Sequence, residues 1–396
     1  MTTANNATHW VRTWGASPQA AHDGLGSLDD HPPLAEVTLR QVVRISGGGR
    51  RVRVRFTNEF GTAPVTVGAA RVGLAALEKG AVRPGTERVL TFSGASAVTI
   101  PAGAPILSDP VDLPLPALAK LSISLYLPEL VETCTCHDPA PETGWTIQGN
   151  AVDARALPEN AETLPVWALI SAVEVLPDAP AKTIVAVGDS RTDGAGSTPE
   201  TNQSWPDLLA ERLVATGYVS NQGISGNRML NDGIGAAALA RFDRDVLATP
   251  GLGYVVLSIG ANDIGIGFAP SADDGPLAEF LKMFPGAPVT TDDVIAGHRQ
   301  LAARARERGV KVYATTIAPY EGSEIYAPEG EIARQVVNEW IRTSGVFDAV
   351  LDFDAVWRDP DHPSRIKDDF HAGDYLHGND KGYRALADSI DLSLFG

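Results

Sequence analysis

The sequence predicts two units in series: an all-β antiparallel sandwich of jelly-roll type over residues 1–175, then an α/β unit over residues 176–396. Three observations carry this. At 396 residues the chain exceeds the size at which a single hydrophobic core stops growing. Between Val37 and Leu127 apolar and polar residues alternate with period two, as in strands with one buried face. After Pro177-Asp178-Ala179-Pro180 continuous apolar runs alternate with helical patterns, which requires a parallel sheet covered on both faces.

In the first unit Val37, Leu39, Val43 and Ile45 are expected to face one way, and Thr38, Arg40 and Arg44 the other. Gly47-Gly48-Gly49 then reads as the turn of a hairpin into Arg51–Phe56, with Arg51, Arg53 and Arg55 as a solvated outer stripe. Leu121–Leu127 repeats the alternation, and Pro101-Ala102-Gly103 is one of the breaks between runs. In the second unit strands are expected at 183–187, near 218–220, and at 254–259, 311–317 and 348–353. Helices are expected at 205–216, 292–308 and 330–344, the second started by Thr291-Asp292-Asp293 and stopped by Gly309. Residues 263–290 form a long connection carrying Phe268, Phe280, Leu281, Met283 and Phe284. It reads either as a lid or apolar wall over a site, or as a helical segment packed on the core.

Apolar residues make up 44% and charged residues 20%, the balance of a soluble globular protein. With 32 basic and 49 acidic side chains the net charge is −17, which disfavours nucleic acid and anionic membrane surfaces as partners. No run of eighteen apolar residues suggests a membrane span. Met1 to Pro18 has neither a basic nor an apolar leader region, so the chain as written reads as cytoplasmic, or as secreted if a leader was removed. Cys134 and Cys136 are too few for a disulfide framework and lack a second pair for zinc. They read as structural, with a small disulfide or a metal clip with His137 as the alternative.

In open parallel sheets ligands bind beyond the carboxyl ends of the strands. Gly188-Asp189-Ser190 follows the first strand, Asn221–Arg228 the second, and Gly260-Ala261-Asn262-Asp263 the third; Gly373–Asp380 comes late in the chain. Acyl transfer at a serine needs a base, a group that orients the base, and donors for an oxyanion. Ser190 is the candidate nucleophile, His377 the base and Asp374 its orienting acid. The N–H groups of Ser190 and Gly226 and the amide of Asn262 are the candidate oxyanion donors, with a positive helix end behind Ser190. His371 lies six residues before His377 but lacks the Asp-x-x-His-Gly-Asn-Asp setting, so His377 is preferred. Asp189 is expected to fix the turn, and His298 to be an exposed or packed helix side chain.

These segments together resemble the SGNH/GDSL hydrolase superfamily, with Ser190, Gly226, Asn262 and His377 as the signature residues. Trp14-Gly15-Ala16-Ser17-Pro18, Leu39-Arg40-Gln41, Ser204-Trp205-Pro206, Ile317–Gly322 and Leu376–Asp380 are similar to the branch that carries an N-terminal sandwich. The resemblance implies a flavodoxin-like three-layer α/β/α fold and ester hydrolysis with neither metal nor organic cofactor. Two positions depart from the pattern. Arg191 stands where an aliphatic residue is expected, and reads as a contact to an anionic part of the substrate or to an acyl-enzyme carbonyl, or as an ordinary surface salt bridge. Gly378 replaces a frequent proline and is expected to loosen its turn. Trp205 and Phe268 are further substrate-binding candidates, Trp205 as a sugar-stacking wall or as helix-start packing.

The expected function is a serine esterase that acts on short acyl chains through an acyl-enzyme, with acetylated carbohydrate as the favoured substrate. Lysophospholipid or thioester hydrolysis, or acyl transfer, would use the same site. The reading from another class is a carbohydrate-binding protein with an inactive hydrolase domain.

Overall fold

In this computed structural model residues 9–21, 28, 31–214 and 216–396 are described. The leader reading of Met1 to Pro18 therefore lies partly outside the described residues, as does position 215 in the expected 205–216 helix.

Two antiparallel sheets face each other in the first unit. One has the order Val11–Gly15, Ile170–Leu176, Gly49–Asn58, Val111–Leu115, with Ala104–Leu107 also paired to Gly49–Asn58. The other runs Glu162–Leu164, Gly144–Gln148, Val37–Arg44, Lys120–Leu127, Ala69–Leu74, Arg88–Leu90. Their inner faces share one core, in which Leu39, Val43, Ile123 and Leu125 meet Val52, Val54, Phe56 and Val173. Cys134 and Cys136 are free thiols buried in this core.

The expected hairpin is corrected. Val37–Arg44 pairs with Lys120–Leu127 and Gly144–Gln148, whereas Gly49–Asn58 lies in the opposite sheet beside Ile170–Leu176. Both edges of Val37–Arg44 are already occupied, so the glycine run carries the chain across the sandwich. The crossing is tight: a Cβ on Gly48 would lie 2.2 Å from the Leu115 carbonyl oxygen. The outward side of Val37–Arg44 is covered as well, and the buried Arg40 guanidinium donates to Ser124 Oγ (3.0 Å) and the Gly80 carbonyl (3.1 Å). The arginine stripe is half-buried and ion-paired, Arg53 with Glu174 and Arg55 with Glu59, and Arg51 meets Asp112.

The second unit holds a five-stranded parallel sheet in the order Tyr218–Gly223, Thr183–Gly188, Leu252–Ser258, Lys311–Thr315, Ala349–Leu351. This is the doubly wound flavodoxin-like order, second strand outermost and first strand next to it. Within Thr183–Gly188 the run Ile184–Val187 is apolar throughout because it serves two cores. Val185 and Val187 pack toward helices Thr291–Arg306 and Pro328–Thr343, whereas Ile184 and Ala186 pack toward Trp205–Arg212 and Asp380–Ser389. Thr290 caps the first of these helices, one residue earlier than expected, in a reciprocal capping box with Asp293. The connection 263–290 carries helix at its start, in Ala261–Gly267, and over Gly275–Lys282, with irregular chain between and after them.

The sandwich covers the edge strand Tyr218–Gly223 through buried polar contacts. Ser17 Oγ donates to Gln222 Oε1 (2.6 Å), Val219 N–H to Ser46 Oγ (2.9 Å), and Arg12 N–H to Thr183 Oγ1 (3.1 Å). Among the described residues no helix is long and apolar enough to cross a membrane, and no group of three His, Cys, Asp or Glu side chains could hold a metal ion.

Candidate active site

Ser190 opens a single turn of helix, Ser190–Asp193, at the end of the first parallel strand. Asp189 holds that turn as expected, its carboxylate accepting the Arg191 N–H at 3.0 Å. Gly188 is demanded by packing, since a Cβ there would lie 2.0 Å from Thr192 Oγ1 and 2.7 Å from the Ser258 carbonyl oxygen. With four residues the helix has little dipole to offer, so its exposed N–H groups matter more than the positive helix end expected from the sequence.

The late segment brings its imidazole to this serine. Asp374 folds its own turn by accepting N–H groups from Leu376 (3.0 Å) and His377 (2.9 Å), and Tyr375 between them sits at φ 57°. Asp374 Oδ2 is then 2.6 Å from His377 Nδ1, and His377 Nε2 is 2.8 Å from Ser190 Oγ. Nδ1 donates to the carboxylate, so in the neutral ring Nε2 is the acceptor for the serine hydroxyl. Partial burial works against the Asp374 carboxylate, but the hydrogen bonds from the His377 ring and from two N–H groups outweigh it. Its carboxyl is held well below the usual carboxylate range. His371 is elsewhere: it stacks on Tyr375 and accepts the Gly373 N–H.

Ser190, Gly226 and Asn262 line one cavity of about 480 Å³ together with His377. Gly226 has φ +77°, in the left-handed region, and a Cβ there would meet Ile234 at 2.8 Å. Asn262 donates one amide hydrogen to the Asn227 carbonyl at 2.9 Å, which fixes its amide plane and leaves a second hydrogen to offer. Asp263 ties the same two loops together by accepting the N–H groups of Met229 (2.7 Å) and Leu230 (3.1 Å). Burial pushes the Asp263 carboxyl up to about 6, against the pull of those two donors.

The three substrate-contact candidates all pack within the fold, and for Trp205 the expectation is corrected. Arg191 is buried, and its guanidinium donates to the carbonyls of Leu376 (2.9 Å), Ala318 (2.9 Å) and Pro319 (3.1 Å). It is not a surface salt bridge but a clamp joining the nucleophile turn to the loop that carries His377. Trp205 is fully buried, edge-on to Phe353 at 5.4 Å, with no face for a sugar. Phe268 packs on the α/β core beside Gly330. The apolar wall of the cavity is instead Ile234, Phe280, Met283, Ile325 and Leu376, with Asp138 and Pro139 contributed by the sandwich. Gly378 does not loosen its turn, because the Trp357 ring occupies the place of a Cβ, 2.6 Å away.

Sequence reasoning missed Asp193, Arg241 and His137. Asp193, one helical turn from Ser190, accepts from Ser225 N–H (3.1 Å) and Oγ–H (2.7 Å). Arg241 donates to the carbonyls of Gly188 (3.1 Å) and Gln222 (2.8 Å) and to Ser17 Oγ (2.7 Å), pinning two strand ends and the sandwich at once. An acid three residues after the nucleophile was a legible signal for the first. Nothing in the local pattern around Arg241 marks it.

A serine, an imidazole and a carboxylate in hydrogen-bonded series, beside donors at neighbouring strand ends, define a site of the serine-hydrolase class. The model of the GDSL-like lipase/acylhydrolase family matches residues 186–385, half of the chain, and the chain belongs to that family as a carboxylic ester hydrolase. Similar solved structures include a G-D-S-L-family lipolytic protein from Desulfitobacterium hafniense (21% identity, 52% of this chain and 97% of that one, TM-score 0.38). Others are an M. smegmatis aryl esterase (17%, 52% and 95%, 0.39) and a carbohydrate acetylesterase family member from Sinorhizobium meliloti (16%, 54% and 97%, 0.39). No curated protein matches the chain significantly.

Proposed function

We propose that residues 176–396 hydrolyse short-chain carboxylic esters through an acyl-enzyme at Ser190, with residues 1–175 as an accessory sandwich that borders the site. The observation that carries this reading is the unbroken series Asp374–His377–Ser190 at 2.6 and 2.8 Å. Ser190 Oγ attacks the ester carbonyl as its proton passes to His377 Nε2. The tetrahedral oxyanion is held by the N–H groups of Ser190 and Gly226 and by Asn262 Nδ2. The His377 imidazolium, steadied by Asp374, gives the proton to the leaving alkoxide, which departs as the alcohol. Water then enters, His377 takes one of its protons, and the hydroxide attacks the acyl carbon. Collapse of the second tetrahedral intermediate breaks the Ser190–acyl bond, returns the proton to Oγ and frees the acid.

The wall of Ile234, Phe280, Met283, Ile325 and Leu376 supports an ester with a compact apolar group. An acetylated carbohydrate is a second reading, supported by the polar residues Asp138 and Ser225 at the same cavity. Trp205, the candidate sugar-stacking wall, is buried and lends it no support. Hydrolysis of aryl acetate, butyrate and octanoate by the wild type and Ser190→Ala, beside acetylated oligosaccharides and lysophospholipids, tests the proposal. Turnover of the short aryl esters that vanishes in Ser190→Ala is expected; turnover of none of these substrates, with no labelling by an organophosphate, refutes it.

A further inference from the structure

His137, the last residue of the short sandwich strand Thr135–His137, is buried against the Trp167 ring and reaches the catalytic half directly. Both of its nitrogens face acceptors: Nδ1 lies 3.0 Å from the Ser17 carbonyl oxygen and Nε2 3.1 Å from Asp193 Oδ1. A carbonyl oxygen only accepts, so Nδ1 carries a proton, and an ionised carboxylate only accepts, so Nε2 carries one too. The ring is an imidazolium paired with Asp193. The other oxygen of Asp193 accepts both donors of Ser225, the residue that precedes Gly226.

We propose that His137 is a positioning residue for ester hydrolysis: as a buried cation it fixes Asp193, and through Asp193 and Ser225 it sets the Gly226 N–H for the oxyanion. This rests on the function proposed above and assigns the sandwich a part in the chemistry.

Several charged and titratable groups surround the pair. Asp193 faces the ring from the nucleophile helix, and Cys136 adjoins it on its own strand. Arg44 and Asp207 line the same narrow crevice between the two units. Arg241 is also within electrostatic reach of Asp193 but is hydrogen-bonded to Asp245, Ser17, Asn227 and two carbonyls. Burial is the largest single influence and opposes the charge on His137, but the charge and hydrogen bond of Asp193 and the Ser17 carbonyl together outweigh it, so the ring titrates above the ordinary histidine range. The positioning contact is therefore complete at and below the ordinary histidine range and is lost as pH rises through the raised value, when two lone pairs come to face each other.

Asp193→Asn separates this from a packing role. Its amide N–H can donate to a neutral His137 Nε2 while its carbonyl accepts from Ser225, so the link survives without charge. The experiment follows kcat and KM for an aryl acetate against pH in the wild type, His137→Ala and Asp193→Asn, with Ser190→Ala as the reference for the site. Expected are a kcat lowered about tenfold or more by His137→Ala with KM little changed, an alkaline fall of kcat in the wild type, and its absence in Asp193→Asn. Imidazole ¹⁵N spectra of the wild type, in which the resonance that moves in Asp193→Asn belongs to His137, do not depend on how His137→Ala folds. They should show both nitrogens protonated at pH 6.5. A neutral ring, an alkaline fall unchanged in Asp193→Asn, or a folded His137→Ala with wild-type kcat overturns the proposal. Hydrolysis that persists in Ser190→Ala instead removes the reading of function beneath it.

Discussion

The Ser190 hydroxyl has an acceptor in His377 Nε2 at 2.8 Å, and Gly226 and Asn262, the proposed oxyanion donors, line the same cavity. Asn262 is the donor whose loss isolates one contribution. Asn262→Ala should lower kcat by about 10²–10³ with little change in KM, the usual effect of removing one oxyanion donor; steady-state kinetics on an aryl acetate check it. His377→Ala should abolish turnover, whereas His371→Ala should keep it, because His371 points to Tyr375 and Gly373. Assay of the two variants side by side decides the base. Arg191→Met strands three buried carbonyls and should cost about 3 kcal/mol or more of stability, read as a lower Tm, with kcat falling as the His377 loop loosens. At this scale the sequence was legible wherever spacing along the chain implied chemistry, as for Asp374 and His377. It was not legible for Arg191, whose partners Ala318, Pro319 and Leu376 are far away in sequence and are main-chain atoms that no side-chain pattern reports.

The three inner parallel strands were readable as elements because each serves two cores and is apolar on both faces, as Ile184–Val187 is, whereas the edge strand Tyr218–Gly223 carries Ser220, Asn221 and Gln222. The hairpin was misread for the same reason in reverse: Val37–Arg44 alternates, but its polar side is buried under satisfied hydrogen bonds instead of water. Alternation reports side-chain polarity, not which strand lies next door. In the 263–290 connection the helix Gly275–Lys282 brings Phe280, and Met283 follows, to the cavity wall. Phe280→Ala should therefore shift preference toward longer or bulkier esters by a few fold in kcat/KM while leaving Tm nearly unchanged; a panel of chain lengths measures it. The helix Thr291–Arg306 carries buried His298, packed beside Trp340 and Phe347, and burial pushes its pKa down to about 4. The folded state prefers the neutral ring, so His298 adds stability above the ordinary histidine value and loses it as pH falls from about 6.5 to 4. Asp263, pushed up to about 6, works in the opposite sense, losing stability as pH rises toward 6. His298→Phe should flatten the acid side of a Tm-against-pH curve and leave the Asp263 contribution, measured by thermal unfolding from pH 4 to 7.

Across the whole molecule the sandwich core ends at Val175 and the cores on the two faces of the parallel sheet begin at Ile184 and Val185, yet polar groups are buried where the units meet. Ser17, Gln222, Arg241 and Asp245 form one connected network there, and Arg241 reaches the carbonyl of Gly188 beside the nucleophile turn. Stripping residues 1–175 would leave Arg241 short of a partner and uncover the edge strand Tyr218–Gly223. Removal should thus abolish or sharply reduce activity, and the intact chain should unfold in a single calorimetric transition; an active, stable 176–396 fragment would speak against this coupling. The change from period-two alternation to apolar runs made the two units legible. Their interface was not, because residues such as Ser17 and His137 look like ordinary loop and strand polarity until both surfaces are assembled.

The proposed hydrolysis passes through a covalent acyl-enzyme at Ser190. Its most direct test is intact-mass and peptide mapping of the protein quenched in acid during turnover of an activated acetate ester. One added acetyl group on the Ser190 peptide, absent from Ser190→Ala and His377→Ala, is predicted. Acetate on another residue, or hydrolysis at wild-type rate in Ser190→Ala, would contradict it.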